Sequence, residues 1–176
     1  QWRDQRHRVD FLYTHWVASK KGWFDDAPGN NARLWGVYAV FNQFPLIANA
    51  DFYYLGLWKK KAVFEDAAGE ELRHSWGTRV WKKTGSWQYD FEAVYQLGSI
   101  NGKQINAWTG SLHLLHQWLH WKGKPELALK TEWISGDRHN GDDRLQTFNP
   151  LFPRGAYFGL AALIGPANLV DLHPSI

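Results

Sequence analysis

The stretch WQYDFEAVYQLG, Trp87 to Gly98, alternates two incompatible surfaces without a slip. Trp87, Tyr89, Phe91, Ala93, Tyr95 and Leu97 share one parity, and Gln88, Asp90, Glu92, Val94 and Gln96 share the other. Side chains on a strand alternate faces with period two, so the segment presents one aromatic-apolar wall and one polar, acidic wall. A helix would scatter both sets around its axis. The alternation lasts about ten residues, the length at which a tilted strand crosses a bilayer, with aromatics near the ends where interfacial girdles sit.

Composition supports this reading. The 176 residues include 12 Trp, 7 Tyr and 10 Phe, yet mean hydropathy is only −0.49. No apolar run approaches the roughly 20 residues of a membrane-spanning helix, whereas a membrane barrel hides its hydrophobicity in alternation. Cysteine is absent, so neither a disulfide framework nor a thiolate metal site is available. The net charge of +3 and a pI near 9.1 suit an anionic partner without amounting to a nucleic-acid footprint. The first residues are Gln-Trp-Arg and Met is missing throughout, so the chain reads as a single domain, 1–176, that is an internal piece of a larger barrel.

Alternation and turn residues together place about seven strands, at 7–18, 33–42, 50–58, 72–82, 87–98, 104–118 and 126–135. The fold class expected is all-β, an antiparallel up-and-down transmembrane β-barrel, here partial, with long outer loops. KKGWFDDAPGNNA and KKKAVFEDAAGEE read as long connections, QFPLIAN and KKTGS as short ones, and GDRHNGDDRLQTFNPLFPRGAYFG as a long outer loop. Long and short then alternate, as they do between the extracellular and periplasmic ends of outer-membrane barrels. A turn at Thr84-Gly85 opposes Arg79 with Asp90, Trp81 with Gln88 and Val80 with Tyr89. It sends Leu72, His74, Trp76, Thr78 and Val80 to the aromatic wall, and Arg73, Ser75, Gly77 and Arg79 to the acidic one. In SLHLLHQWLHW, His113, His116 and His120 also fall at helical spacing.

Several stretches resemble the alginate-export outer-membrane porin family: ARLWGVYA (32–39), DFYYLGL (51–57), RHSWGTRVW (73–81), WQYDFEAVYQLG (87–98), ISGDR (134–138), and FNPLFPRGAYFG followed by GPANLVDLHPS. LHLLHQWLHW departs from that pattern in being richer in His and Trp. The resemblance implies a large antiparallel barrel in the bacterial outer membrane, of which this chain is a central-to-late portion. It also implies a charged lumen that passes an acidic polysaccharide, lipid around the barrel, and periplasmic secretion partners.

Arg73, Arg79, Trp81, Asp90, Glu92, Lys130 and Glu132 are the candidate lumen residues. Arg and Lys meet carboxylates in transit, nearby acids keep binding weak enough for release, and Trp81 offers a stacking face. The plainer reading is that these charges neutralise one another across strands. Asp137, Arg138, Arg144 and Arg154 belong to the outer loop. There Asp137, Asn140, Asp142 and Asp143 carry oxygens that suit calcium, but their spacing is not that of an EF-hand and a solvated loop is the simpler account. His113, His116 and His120 would make a metal site only on a helix. Ser75 and Ser111 lie close to His74 and His113, but strand neighbours point to opposite faces and no G-x-S-x-G elbow is present. No cofactor and no enzymatic role is expected. The rival readings are a general diffusion porin and a soluble carbohydrate-binding β-sheet protein, the latter needing cover for its aromatic face.

Overall fold

A computed structural model describes residues 1–18, 21–22, 27–44, 49–139, 141–151 and 167–176. The strands are β1 (Trp2–Arg3), β2 (His7–Ala18), β3 (Ala27–Asn42), β4 (Asn49–Val63), β5 (Ala68–Thr84), β6 (Trp87–Ile100), β7 (Lys103–Gln117), β8 (Glu126–Ile134), β9 (Arg144–Leu145) and β10 (Leu169–Ser175). They form one sheet in the order β1-β2-β3-β4-β5-β6-β7-β8-β10, every neighbour antiparallel, with β9 alone pairing in parallel to β7. Among the described residues it is an up-and-down meander with open edges at β1 and β10, as in a barrel wall that has not closed.

The two faces follow the parity read from the sequence. Trp76, Phe91, Tyr95 and Trp108 keep 57%, 41%, 43% and 44% of their surface exposed, while Arg73, Ser75 and Gln96, on the opposite parity, are buried. The first group defines the outer wall and the second the inner.

Register differs from expectation by two residues. The chain turns at Gly85-Ser86, so Thr84 faces Trp87, Arg79 faces Glu92, Trp81 faces Asp90 and Val80 faces Phe91. Gly85, at φ +54, takes the first central position of this two-residue loop, where a II′-type turn calls for glycine. A shift of two leaves each side chain on the face assigned to it, whereas a shift of one would have exchanged the walls.

The connections are more even than the sequence suggests, which corrects the expected alternation of long and short. β4 runs on to Val63 and β5 begins at Ala68, so only 64–67 joins them. The register slips between Lys59 and Ala62, and this irregularity lets a lysine-rich strand end continue while Ala62 turns into the interior. β3 similarly starts within the Pro/Gly/Asn-rich run, beyond a bulge between His15 and Val17. The remaining long connection, 135–168, carries β9.

β10 was not expected. Pro174 argues against a strand, but β10 is an edge strand, where a missing N–H is tolerated. Val170 and Leu172 point outward, and Asp171 faces Glu132 across β8. The helical alternative at 111–121 is also set aside: β7 is extended, so His113 lies on the inner face beside Asp90 and Lys130, and His116 on the outer face beside Trp87 and Leu127. The three histidines share no face. Ser111 and His113, two residues apart, do share the inner one, so separation by face holds for Ser75 and His74 only.

Candidate functional site: the inner wall

Beyond Ile134 the β8 strand leaves its place beside β7, and the segment around Asp143–Leu145 takes it over. Gln104 N–H donates to the Asp143 carbonyl (2.8 Å), and Arg144 and Leu145 pair with Gln104 and Ile105. Leu145 is enclosed by Ala62, Ile100 and Ile105, and Phe148 by Ala107 and Ile134. Burying each such side chain contributes about 1.5–3 kcal/mol, enough to hold the segment against the inner wall.

At the rim this segment is clipped by Asp66. The carboxylate accepts from Lys103 Nζ at 2.6 Å and from the Gly141 amide at 3.0 Å. The Lys103 hydrogen bond, then the Gly141 amide, hold its carboxyl below the usual carboxylate range. A lowered pKa in the folded state means that the clip is fully formed above about pH 4, the ordinary aspartate range, and is lost as pH falls and the group protonates. Hydrogen-exchange protection of the Gly141 and Gln104 amides should therefore drop in acid, and Asp66→Ala should remove that pH dependence. Unchanged protection in the variant at neutral pH would show that the clip is dispensable.

Deeper in, the segment meets a fully buried polar cluster on β5 and β6. Arg73 Nε donates to Glu71 Oε1 (2.6 Å), and Arg73 Nη1 donates to Gln96 Oε1 (2.7 Å) and to the Thr147 carbonyl (3.3 Å). Gln96 accepts from the Asn149 amide and donates to the Asn149 carbonyl, both at 2.9 Å, and also donates to Ser75 Oγ (3.0 Å). Arg73 and Glu71 have no exposed surface, and Gln96 has 1%. Arg73 is therefore a docking post under the segment and is shielded from solvent, not the open wall residue that the sequence suggests.

Nearer the opposite rim the wall is wet. Arg79 grips Asp90 through both ends of the carboxylate, with Nε donating to Oδ1 at 2.8 Å, and the two side chains keep 37% and 26% of their surface. The sequence opposed these residues directly. Here Arg79 reaches Asp90 along the diagonal, within the span of a long side chain. Its guanidinium lies 4.8 Å from the Trp81 ring centroid, so one face of that ring is already engaged. Tyr53 donates to Glu92 (2.5 Å) and Tyr38 to Asp51 (2.7 Å), and their rings stack 5.2 Å apart and nearly parallel. A Cβ added at Gly77 would sit 2.0 Å from the Tyr53 ring, so glycine there is what lets the ring lie flat on the sheet.

Lys130 is exposed and aligned with His113 and His173, and Glu132 is buried and aligned with Ser111 and Asp171, all on the inner face. In the long connection, Arg138 and Arg144 are exposed, with Arg144 Nε 3.9 Å from Asp143; Arg154 and Asn140 lie outside the described residues. Asp142 accepts from the Arg144 amide (2.8 Å), Asp143 points into solvent and the Asp137 carboxylate is buried apart from them, so that among the described residues no three such side chains gather to hold a metal ion. Tyr38, Asp51, Tyr53, Glu71 and Gln96 are not among the sequence candidates; parity in DFYYLGL puts Asp51 and Tyr53 on one face, and pairing with β3 and β5 then brings Tyr38 and Gly77 to the same wall.

The family model described as alginate export matches residues 6–176. The chain belongs to the alginate-export family. Neither a curated protein nor a solved structure matches it. For a member of this family, an all-β sheet with a polar inner wall and an aromatic outer wall is the architecture of an outer-membrane β-barrel for polysaccharide transport.

Proposed function

We propose that the chain forms part of the wall of an outer-membrane channel that exports an anionic polysaccharide such as alginate. The observation that carries this reading is the family match over 6–176, joined to an inner wall where Arg79, Trp81, Tyr38 and Tyr53 stand among Asp51, Asp90 and Glu92. A uronate carboxylate that approaches Arg79 must compete with Asp90 for the same fork of N–H donors. Competition of this kind keeps each encounter short, and a conduction path needs sites that release what they bind. The tyrosine and tryptophan rings supply apolar faces for pyranose rings, and no group is called on for bond-making chemistry.

The soluble carbohydrate-binding alternative requires a second layer over Trp76, Phe91, Tyr95 and Trp108, and none of the described residues supplies one. A general diffusion porin shares the architecture and is separated by transport. In planar bilayers containing the full-length protein, a polyuronate should block the ionic current and a neutral glucan of equal length should block it far less. Equal block by the two polymers, or none by either, would favour the general porin.

A further inference from the structure

The connection between β7 and β8, WLHWKGKP (118–125), carries a pattern that transport through the lumen does not use. It has two tryptophans, a leucine, a histidine and two lysines, with no carboxylate from Trp118 to Pro125. It is also tightly folded. Trp118 N–H donates to the Pro125 carbonyl (3.0 Å), Trp121 N–H to the Trp118 carbonyl (3.2 Å) and Lys124 N–H to the Trp121 carbonyl (3.0 Å). Gly123 and Lys124 both hold positive φ, +84 and +46, which turns the chain tightly here, and Lys122 and Lys124 are both exposed at the turn.

Rings climb from the outer wall to this tip. Trp87 on β6 packs against His116 (4.4 Å between centroids), His116 against Trp118 (4.8 Å), and Trp118 against Trp121 (5.8 Å). Trp121 nevertheless keeps 64% of its surface exposed and Leu119 38%. The outcome is an apolar face continuous with the outer wall and ending in two ammonium groups, and Lys82 stands on the outer parity of β5 at the same rim. Tryptophan prefers the headgroup level of a bilayer, and lysine beside it is attracted to anionic headgroups.

We infer that this connection is a binding site for a phosphate-bearing membrane lipid, with Trp121 and Leu119 against the upper acyl chain and Lys122 and Lys124 on the phosphate. The inference rests on the reading that the outer wall faces lipid. Charge complementarity selects an anionic headgroup over a zwitterionic one, and the exposed indole selects a lipid over free phosphate.

The test uses the full-length protein in neutral-detergent micelles, with its thermal unfolding midpoint followed during titration with phosphatidylglycerol, phosphatidylcholine or inorganic phosphate. Phosphatidylglycerol should raise the midpoint, and the other two should not. Each of Lys122→Gln and Lys124→Gln should weaken the apparent affinity for phosphatidylglycerol about fivefold, and Trp121→Ala should weaken it further, with the midpoint in lipid-free micelles unchanged. An undiminished response in the double lysine variant, or an equal response to phosphatidylcholine or to phosphate, would overturn the inference. Bilayer conductance of the same preparation is read separately. A protein that keeps the lipid response but passes no current would count against the channel and not against this site.

Discussion

Arg73→Ala should lower stability by about 3–5 kcal/mol, because it strands Glu71 as an uncompensated charge with no exposed surface. The variant also loses the donor that joins Gln96 and the Thr147 carbonyl, so the effect should reach the inward segment as well as the strand. Denaturant unfolding in detergent reads the first effect, and proteolytic nicking within 141–151 reads the second. The combined change Arg73→Met with Glu71→Leu should recover much of the loss, since replacing both partners of a buried pair by apolar residues removes the desolvation cost along with the attraction. A single variant as stable as the parent would mean that water reaches Glu71 and that this end of the wall is open.

Arg79→Glu addresses the wet end of the wall. It changes local charge by two units and sets a new carboxylate beside Asp90 and Glu92, inside a confined path where screening is weaker than on an open surface. The reversal potential should move toward cation selectivity, and block by a polyuronate should weaken about tenfold, the worth of one charge-assisted contact. Tyr89→Phe, on the outer parity of β6, should leave both unchanged. The same reversal at Arg73 would read folding and not selectivity, because Arg73 lies buried under the inward segment. An unaltered reversal potential in Arg79→Glu would make Arg79 and Asp90 a structural bracket between β5 and β6.

What the sequence disclosed and what it withheld follow from physics. Wall assignment was legible because it depends only on parity, and parity survives an error of two in register. At KKTGS either Thr84-Gly85 or Gly85-Ser86 satisfies simple turn chemistry with a positive φ at Gly85, and the pairing of Thr84 with Trp87 decides between them. Strand ends are hidden in the sequence at 59–61 and at 28–31 because lysine, proline, glycine and asparagine signal turns on average. At the rim of a barrel wall the same residues continue a strand into water. The buried cluster had no local signature at all: Gln96 and Asn149 meet across 53 residues, and the segment that delivers Asn149 has no periodicity to read. On the inner wall, alternation alone places Arg79 and Asp90, whereas the two tyrosines need the neighbouring strands to be placed first.

The way Gln96 holds residue 149 sets a rule for variation. Its side-chain amide pairs with a main-chain N–H and a main-chain carbonyl, as an adjoining strand would, and so takes little account of which side chain follows. Residues 146 and 147 can therefore vary while Leu145 and Phe148 stay apolar, provided that the length of the stretch brings a non-proline residue to position 149. Deleting or inserting one residue between Leu145 and Asn149 should be far less tolerated than substituting Gln146 or Thr147, the two residues there that do not anchor the segment in the core.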